Sequence, residues 1–263
     1  MASLKPAGAV WMQGVSLYRD DGREVLQGVD LRVHAHEFVG LVGPSGCGKT
    51  TLLQLLAGLL PAPVTGRLQV LGQAPAAGRG DVVYMPAQDC LLPWRTALDN
   101  AAFALELQGL ARDQRRRRAA TMLERVGLGA FALAHPRTLS QGMRQRVALA
   151  RSFCRVTRES LLLMDEPFAA LDVQTRLQLG ELLLALRDDA GGASVLFVTH
   201  DLQEAIGLAD RVVVLSDRPA RVVAEVGIDL ERPRRLRHLH ADLRFHELYR
   251  RLWSALAPDG APP

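Results

Sequence analysis

The chain has 263 residues, 48% of them hydrophobic, enough for one large or two tightly joined domains around a sizeable core. No uninterrupted apolar run reaches the roughly 18 residues that span a bilayer, and the opening Met-Ala-Ser-Leu-Lys-Pro-Ala-Gly is too weakly apolar for a secretory signal. The net charge of +4 permits an anionic partner, but the basic runs 115–118 and 232–237 carry no alternating aromatic residues to stack on bases, so both read as solvated faces and nucleic acid is not an expected partner. Cys47, Cys90 and Cys154 form no C-x-x-C pair and no disulfide framework, which suits a reduced cytosol. The histidines at 34, 36, 238, 240 and 246 form no metal set with them; His34 and His36 alternate as on a strand.

The first 37 residues hold short alternating segments, 14–18 and 29–33, which predict antiparallel strands beside the core. Five short apolar runs follow, 38–42, 82–85, 161–164, 195–198 and 212–215, each stopping at polar or glycine-rich residues. Separated by helical stretches, they predict the buried parallel strands of an α/β sheet. Ligands of such sheets gather at the carboxyl ends of the strands. The residues after four of the runs are Gly43 onward, Gln88, Asp165 with Glu166, and Thr199 with His200. Four loops are therefore expected to converge on one edge.

The first of these loops, Gly43-Pro44-Ser45-Gly46-Cys47-Gly48-Lys49-Thr50, followed by Thr51, fits G-x-x-x-x-G-K-[ST] in full. Gly43, Gly46 and Gly48 allow a tight backbone whose N–H groups wrap phosphate oxygens, Lys49 reaches the β- and γ-phosphates, and Thr50 offers its hydroxyl to Mg²⁺. Cys47, inside the loop, is a candidate reactive thiol that nucleotide would protect. Between Gln88 and Ser140 the pattern turns helical, chiefly over 97–107 and 112–126. Leu139-Ser140-Gln141-Gly142-Met143-Arg144-Gln145-Arg146 then opens a further helix. Ser140 can cap it, Gly142 lets its backbone approach a ligand closely, and the helix start is a second anion site. Two phosphate sites on one small chain imply a nucleotide held between two copies.

Asp165 and Glu166, at the end of the third apolar run, divide two tasks: Asp165 suits Mg²⁺, directly or through a water, and Glu166 can polarise an attacking water as general base. Past 215, Ser-Asp-Arg-Pro signals a turn from which 220–226 pairs back as a hairpin. Residues 241–256 read as an amphipathic helix with Leu248, Leu252 and Leu256 on one face, and the last seven residues as disordered.

This order of motifs resembles the ATP-binding cassette (ABC) ATPases, the segment at Ser140 being its most specific part, and the likeness covers residues 10 to 230. The resemblance implies a P-loop ATPase core with a mostly parallel sheet, an N-terminal antiparallel β subdomain and an inserted α-helical subdomain at about 89–155. Together these make an ATPase domain over 1–230, followed by a basic segment and amphipathic helix at 231–263. It implies that His200 contacts the γ-phosphate and orients Glu166 and the water, that Gln88 senses Mg²⁺ and γ-phosphate, and that Asp172, in Ala170-Leu171-Asp172, lines the dimer interface. Tyr18 lies where the family stacks an aromatic on adenine, with a plain strand tyrosine as its rival. Ser140 and Gly142 are the positions that meet the partner copy's nucleotide, while Gln141 and Met143 depart from the family's commonest glycine and glutamine.

With no membrane span, the chain looks like the separate ATPase subunit of a bacterial importer on the cytoplasmic face of the inner membrane. ATP and Mg²⁺ would be its cofactors. A second copy, integral-membrane permease subunits and, indirectly, a solute-binding protein would be its partners. Residues 91–100 are similar to the nitrate, sulfonate and taurine importer group, and the end at 263 lacks the further β-domain of maltose-type subunits. Trp94 and Leu92 are candidates for the permease contact, with packing inside the helical region as the alternative. A soluble cassette for DNA repair or ribosome work, and a sensor that binds without turnover, are the rival readings; the absence of coiled-coil arms weighs against the first and the retained acids and histidine against the second.

Overall fold

The computed structural model describes residues 8–19, 21–60, 64–169 and 171–257. Its centre is a six-stranded sheet in the order β5 (Val82–Met85), β6 (Leu161–Asp165), β7 (Ser194–Val198), β3 (Phe38–Val42), β8 (Arg211–Leu215), β9 (Val222–Gly227). Every pairing is parallel except β8 with β9, the expected hairpin. Side chains alternate across this sheet and both faces are covered, which is why its strands read as unbroken apolar runs. On one face Val39, Leu41, Leu161, Leu163, Leu196 and Val198 join the helix α1 (Lys49–Leu56) and a second sheet. On the other, Leu162, Met164, Val195, Phe197, Val212 and Val214 join the remaining helices.

The second sheet has the order β2 (Glu24–His34), β1 (Gly8–Tyr18), β4 (Val64–Val70), all antiparallel. Its strands are longer than the predicted segments because Gly14 and Gly28 take φ of 58° and 57°, letting β1 and β2 bulge and continue. β4 was not anticipated: it is mostly exposed at the edge, so no apolar alternation marks it. His36 is not on a strand with His34; it sits in the turn before β3 at φ 65°, with Nδ1 3.0 Å from the Gly192 carbonyl oxygen.

Between β5 and β6 lie α2 (Ala97–Leu107), α3 (Arg112–Arg125) and α4 (Gln141–Phe153), packed on one another. Thr96 and Ser140 cap α2 and α4, each side-chain oxygen accepting from the N–H three residues on. α5 (Val173–Asp189) and α6 (Leu202–Leu208) follow β6 and β7. The tail helix α7 (Leu243–Leu256) buries Phe245, Leu248 and Leu252 against α6, β8 and β9, with Leu256 at the margin. The residues expected to be disordered beyond 257 lie outside the described ones.

The two basic runs are not simply solvated. Arg115 donates to the Leu110 carbonyl and Arg116 pairs with Asp99, which leaves Arg117 and Arg118 exposed. In the second run, Arg234 is buried and donates to the carbonyls of Ile206, Ala209, Ile228 and Leu230, while Arg232 pairs with Asp210. A helix leaves its last carbonyls without partners, and here two arginines supply them at the end of α6. The expectation of a solvated face fails at Arg234, because sequence spacing cannot show which carbonyls an arginine will meet, while Arg117, Arg118, Arg235 and Arg237 are exposed as expected.

Candidate active site

The loop 43–48 connects β3 to α1, and its glycines answer local demands. A Cβ on Gly43 would lie 3.0 Å from the Leu215 carbonyl oxygen and 3.2 Å from Cys47 Sγ. Gly48 takes φ 127°, beside Val25 of β2. The backbone N–H groups of Gly46, Gly48 and Thr50 meet no acceptor among the described residues, and they sit at the start of a helix, where the dipole favours an anion. Lys49 is buried and its Nζ donates to the carbonyls of Gly43 and Pro44, both at 2.8 Å. This nest of donors fits the phosphates of a nucleotide. Pro44, Ser45 and Thr51 lie within or directly after it.

Cys47 points inward and is fully buried. Burial pushes its thiol pKa up, against the opposing pull of Lys49, and the thiolate is the reactive form. The expectation of a reactive thiol is therefore corrected: the sulfur fills space beneath the loop.

Thr50 Oγ1, in the first turn of α1, donates to Asp165 Oδ1, at the end of β6, at 3.0 Å. Burial raises the Asp165 pKa, with Thr50 opposing. A hydroxyl and a carboxylate brought together beside the phosphate nest are the oxygen donors that Mg²⁺ prefers. Next to them Glu166 takes φ 43°, the left-handed region, held by its N–H donating to the Val198 carbonyl at 3.0 Å. His200 Nδ1 lies 3.0 Å from Glu166 Oε2, with the imidazole 57% and the carboxylate 30% exposed. β6 and β7 are neighbours, so the acid and the histidine meet across one strand spacing.

The other expected residues are placed less completely. Gln88 is exposed in the loop after β5, and its side chain bonds none of the site residues among those described. Tyr18 ends β1 half-buried and donates to Glu24 Oε1 at 3.1 Å; that hydrogen bond raises its pKa. Glu24 precedes Val25, the neighbour of Gly48, so Tyr18 belongs to the hairpin that walls the phosphate loop. Ser140 and Gln141 are exposed at the start of α4. Gly142 is half-buried, with α5 on the side where a Cβ would point: such a Cβ would come within 2.9 Å of Thr175 Cγ2. Thr175 in turn donates from N and Oγ1 to Asp172, the cap of α5, at 3.0 and 2.6 Å, which lowers the Asp172 pKa. Ala170 lies outside the described residues.

Several residues at the site were not anticipated. Arg218, in the turn after β8, donates to the Gly46 carbonyl within the phosphate loop. From α4, Arg144 pairs with Asp89, Arg151 donates to the carbonyls of Asp89 and Cys90, and the buried Gln145 donates to the Pro167 carbonyl. The helix that opens at Ser140 thus grips both the loop of Gln88 and the loop of Glu166. Arginines are common enough that only the fold marks these.

The profile of the ABC transporter family matches residues 26–169. The chain belongs to the ABC transporter family. This cassette is 47% identical over 214 residues to an uncharacterised ABC transporter ATP-binding protein of Methanocaldococcus jannaschii, covering 80% of the chain and 78% of the relative. It is 45% identical over 216 residues to a taurine import ATP-binding protein of Rhizobium johnstonii, covering 80% of each, and 43% identical over 220 residues to that of Escherichia coli O157:H7, covering 82% and 84%. Among solved structures, it matches a dimeric ATP-binding cassette in a post-hydrolysis state bound to ADP and Pi, with TM-score 0.72 and 28% identity, covering 84% of the chain and all of that one. The cbiO1 protein of Clostridium perfringens shares the fold at TM-score 0.73 and 21% identity, covering 94% of both chains. The cassette is an ATPase of mixed, mostly parallel α/β architecture with an antiparallel N-terminal sheet. No helix among its described residues is long and apolar enough to cross a membrane.

Proposed function

We propose that this ATPase powers an importer for a small solute of the taurine, sulfonate or nitrate type, as a pair of copies attached to a separate membrane permease on the cytoplasmic face. The observation that carries the reading is the Glu166–His200 contact at 3.0 Å beside the Thr50–Asp165 contact at 3.0 Å. A water-activating acid and its orienter stand next to a metal-holding pair, as ATP hydrolysis requires. The taurine-import relatives supply the solute class.

In this mechanism the loop 43–48 and Lys49 hold the β- and γ-phosphates, and Thr51 continues the first turn of α1. Tyr18 stacks on the adenine. Thr50 and Asp165 would hold Mg²⁺, with Gln88 arriving from its loop, and the ion would supply neutralisation of charge on the phosphate oxygens. Glu166 takes the proton of the attacking water. When the ring carries both protons, His200 donates from Nδ1 to Glu166 and from Nε2 to the γ-phosphate. Ser140 and Gly142 of one copy face the phosphate loop of the other, so that two nucleotides lie between the copies, and Asp172 lines the same interface. ATP drives closure only as far as it binds the closed pair more tightly than the open one, and the permease follows that closure. Trp94, 72% exposed in the loop before α2, is the anchor for the permease, with Leu92 beside it. The 1–230 unit carries this chemistry and 231–263 completes it.

The test is a mild-detergent pull-down of tagged Glu166→Gln with ATP, followed by mass spectrometry. A polytopic permease among the co-purifying proteins is the expected result, and its solute-binding partner then allows sulfonates, taurine and nitrate to be screened. Recovery of soluble or ribosomal proteins alone, from well-solubilised membranes, would overturn the importer reading.

A further inference from the structure

His200 lies between Thr199 and Asp201, and Arg176 touches Asp201 directly and Thr199 only by way of Glu204. Thr199, before it, donates through Oγ1 to Glu204 Oε2 at 2.6 Å and accepts from the Asp201 N–H at 3.0 Å. Asp201, after it, caps α6 by accepting from the N–H groups of Gln203 and Glu204. Arg176, one turn into α5, reaches across to this group. Its Nη1 donates to Asp201 Oδ2 at 2.7 Å, and its Nε lies 3.3 Å from Glu204 Oε1. Its remaining nitrogen, Nη2, donates to the Leu171 carbonyl at 3.2 Å. Leu171 neighbours Asp172 in the loop that leads into α5.

The planar fork of a guanidinium fixes its partners relative to one another, which an ammonium on a flexible stem does not. Arg176 therefore holds the carbonyl of the 171–172 loop and the Asp201 carboxylate in one geometry, with Glu204 beside its Nε as an ion pair. Glu204 is mostly buried, and burial raises its pKa to about 7. The other charged groups facing it are Asp201, Arg176 and His200, while His240 borders the adjoining cavity of ≈ 70 Å³ from the C-terminal segment.

We propose that Arg176 is a positioning residue that sets His200 against Glu166 according to where the 171–172 loop lies, so that a partner copy pressing on that loop acts on the hydrolytic pair of the same chain. This rests on the role assigned to His200 above. Arg176 touches neither nucleotide nor water in this scheme; it acts through Asp201, Thr199 and Glu204.

The experiment compares single-turnover ATP hydrolysis by the full chain, at concentrations where it pairs, for wild type, Arg176→Lys, Arg176→Gln, His200→Ala and each Arg176 variant combined with His200→Ala. ATP affinity is measured in parallel by titration of the unpaired chain. Arg176→Lys keeps the charge but not the fork, and it guards against loss of folding in Arg176→Gln. The expected result is a fall of tenfold or more in the hydrolysis rate for both single variants, with ATP affinity within twofold of wild type. On the His200→Ala background neither should change the rate by more than twofold, because residues acting as one unit are not additive. The imidazole resonances of His200 should shift in Arg176→Lys. Full losses that multiply on the His200→Ala background, or wild-type rates in Arg176→Lys, overturn the positioning role. Wild-type hydrolysis by His200→Ala itself overturns the His200 assignment instead, so the two failures are distinguishable.

Discussion

At the scale of single residues, Glu166 combines the proposed catalytic carboxylate with an unfavourable backbone. A non-glycine residue at φ 43° persists only where the surroundings enforce it, and here the strand neighbour Val198 accepts its N–H. Glutamine preserves that geometry and removes the base. Glu166→Gln should lower steady-state ATPase by about 10²- to 10⁴-fold while ATP still binds and the pair of copies accumulates on gel filtration; turnover near wild type would sink the base assignment. Glu204 provides a second prediction. Burial raises its pKa from 4.5 to about 7, so the folded chain binds that proton more tightly than the unfolded one. The associated stability is fully present below pH 4.5, declines as pH rises to about 7 and is level above. The loss is on the order of 3 kcal/mol. Thermal midpoints measured across this window should fall for wild type relative to Glu204→Gln, and parallel profiles would refute the assignment.

Among the elements, the meeting of α5, α6 and the C-terminal segment is unusual in needing two helix glycines. A Cβ on Gly180 would lie 2.5 Å from Leu236 Cδ1, and one on Gly207 2.7 Å from Leu236 Cδ2. Leu236 thus inserts between the helices, held there by Arg232 and Arg234 at the end of α6. Glycine to alanine inside a helix ordinarily stabilises by about 1 kcal/mol. At Gly180 the sign should reverse, since overpacking costs about 1 to 3 kcal/mol. Urea denaturation would show Gly180→Ala destabilised in the native background and neutral or stabilised when Leu236 is alanine. A destabilisation that persists without Leu236 would show that the clash is not its cause.

For the whole molecule, the proposed hydrolytic residues and the proposed permease contact lie in different stretches of the chain. The phosphate loop, acids and histidine share the carboxyl edge of the central sheet, while Trp94 lies in the stretch between β5 and β6 and packs little. Trp94→Ala should therefore leave the thermal midpoint nearly unchanged, within about 0.5 kcal/mol as for other exposed positions. It should also reduce recovery of the permease in the detergent pull-down. Undiminished recovery would move the docking surface elsewhere.

The sequence by itself determined the phosphate loop, the acid pair, the five buried strands and the order of motifs that placed the chain in its family. These are local: each needs only a run of apolar residues or a fixed spacing along the chain. The tertiary structure alone decided that Cys47 turns inward and that Gly142 lies against Thr175, and it supplied the 3.0 Å contact across neighbouring strands for the His200–Glu166 pairing that the resemblance implied. It alone decided, too, that Arg234 is a helix cap rather than a surface charge and that Arg176 joins two loops. Each of these depends on which distant backbone comes within hydrogen-bond reach. An arginine's partners are set by packing over tens of residues, and no short-range periodicity records them.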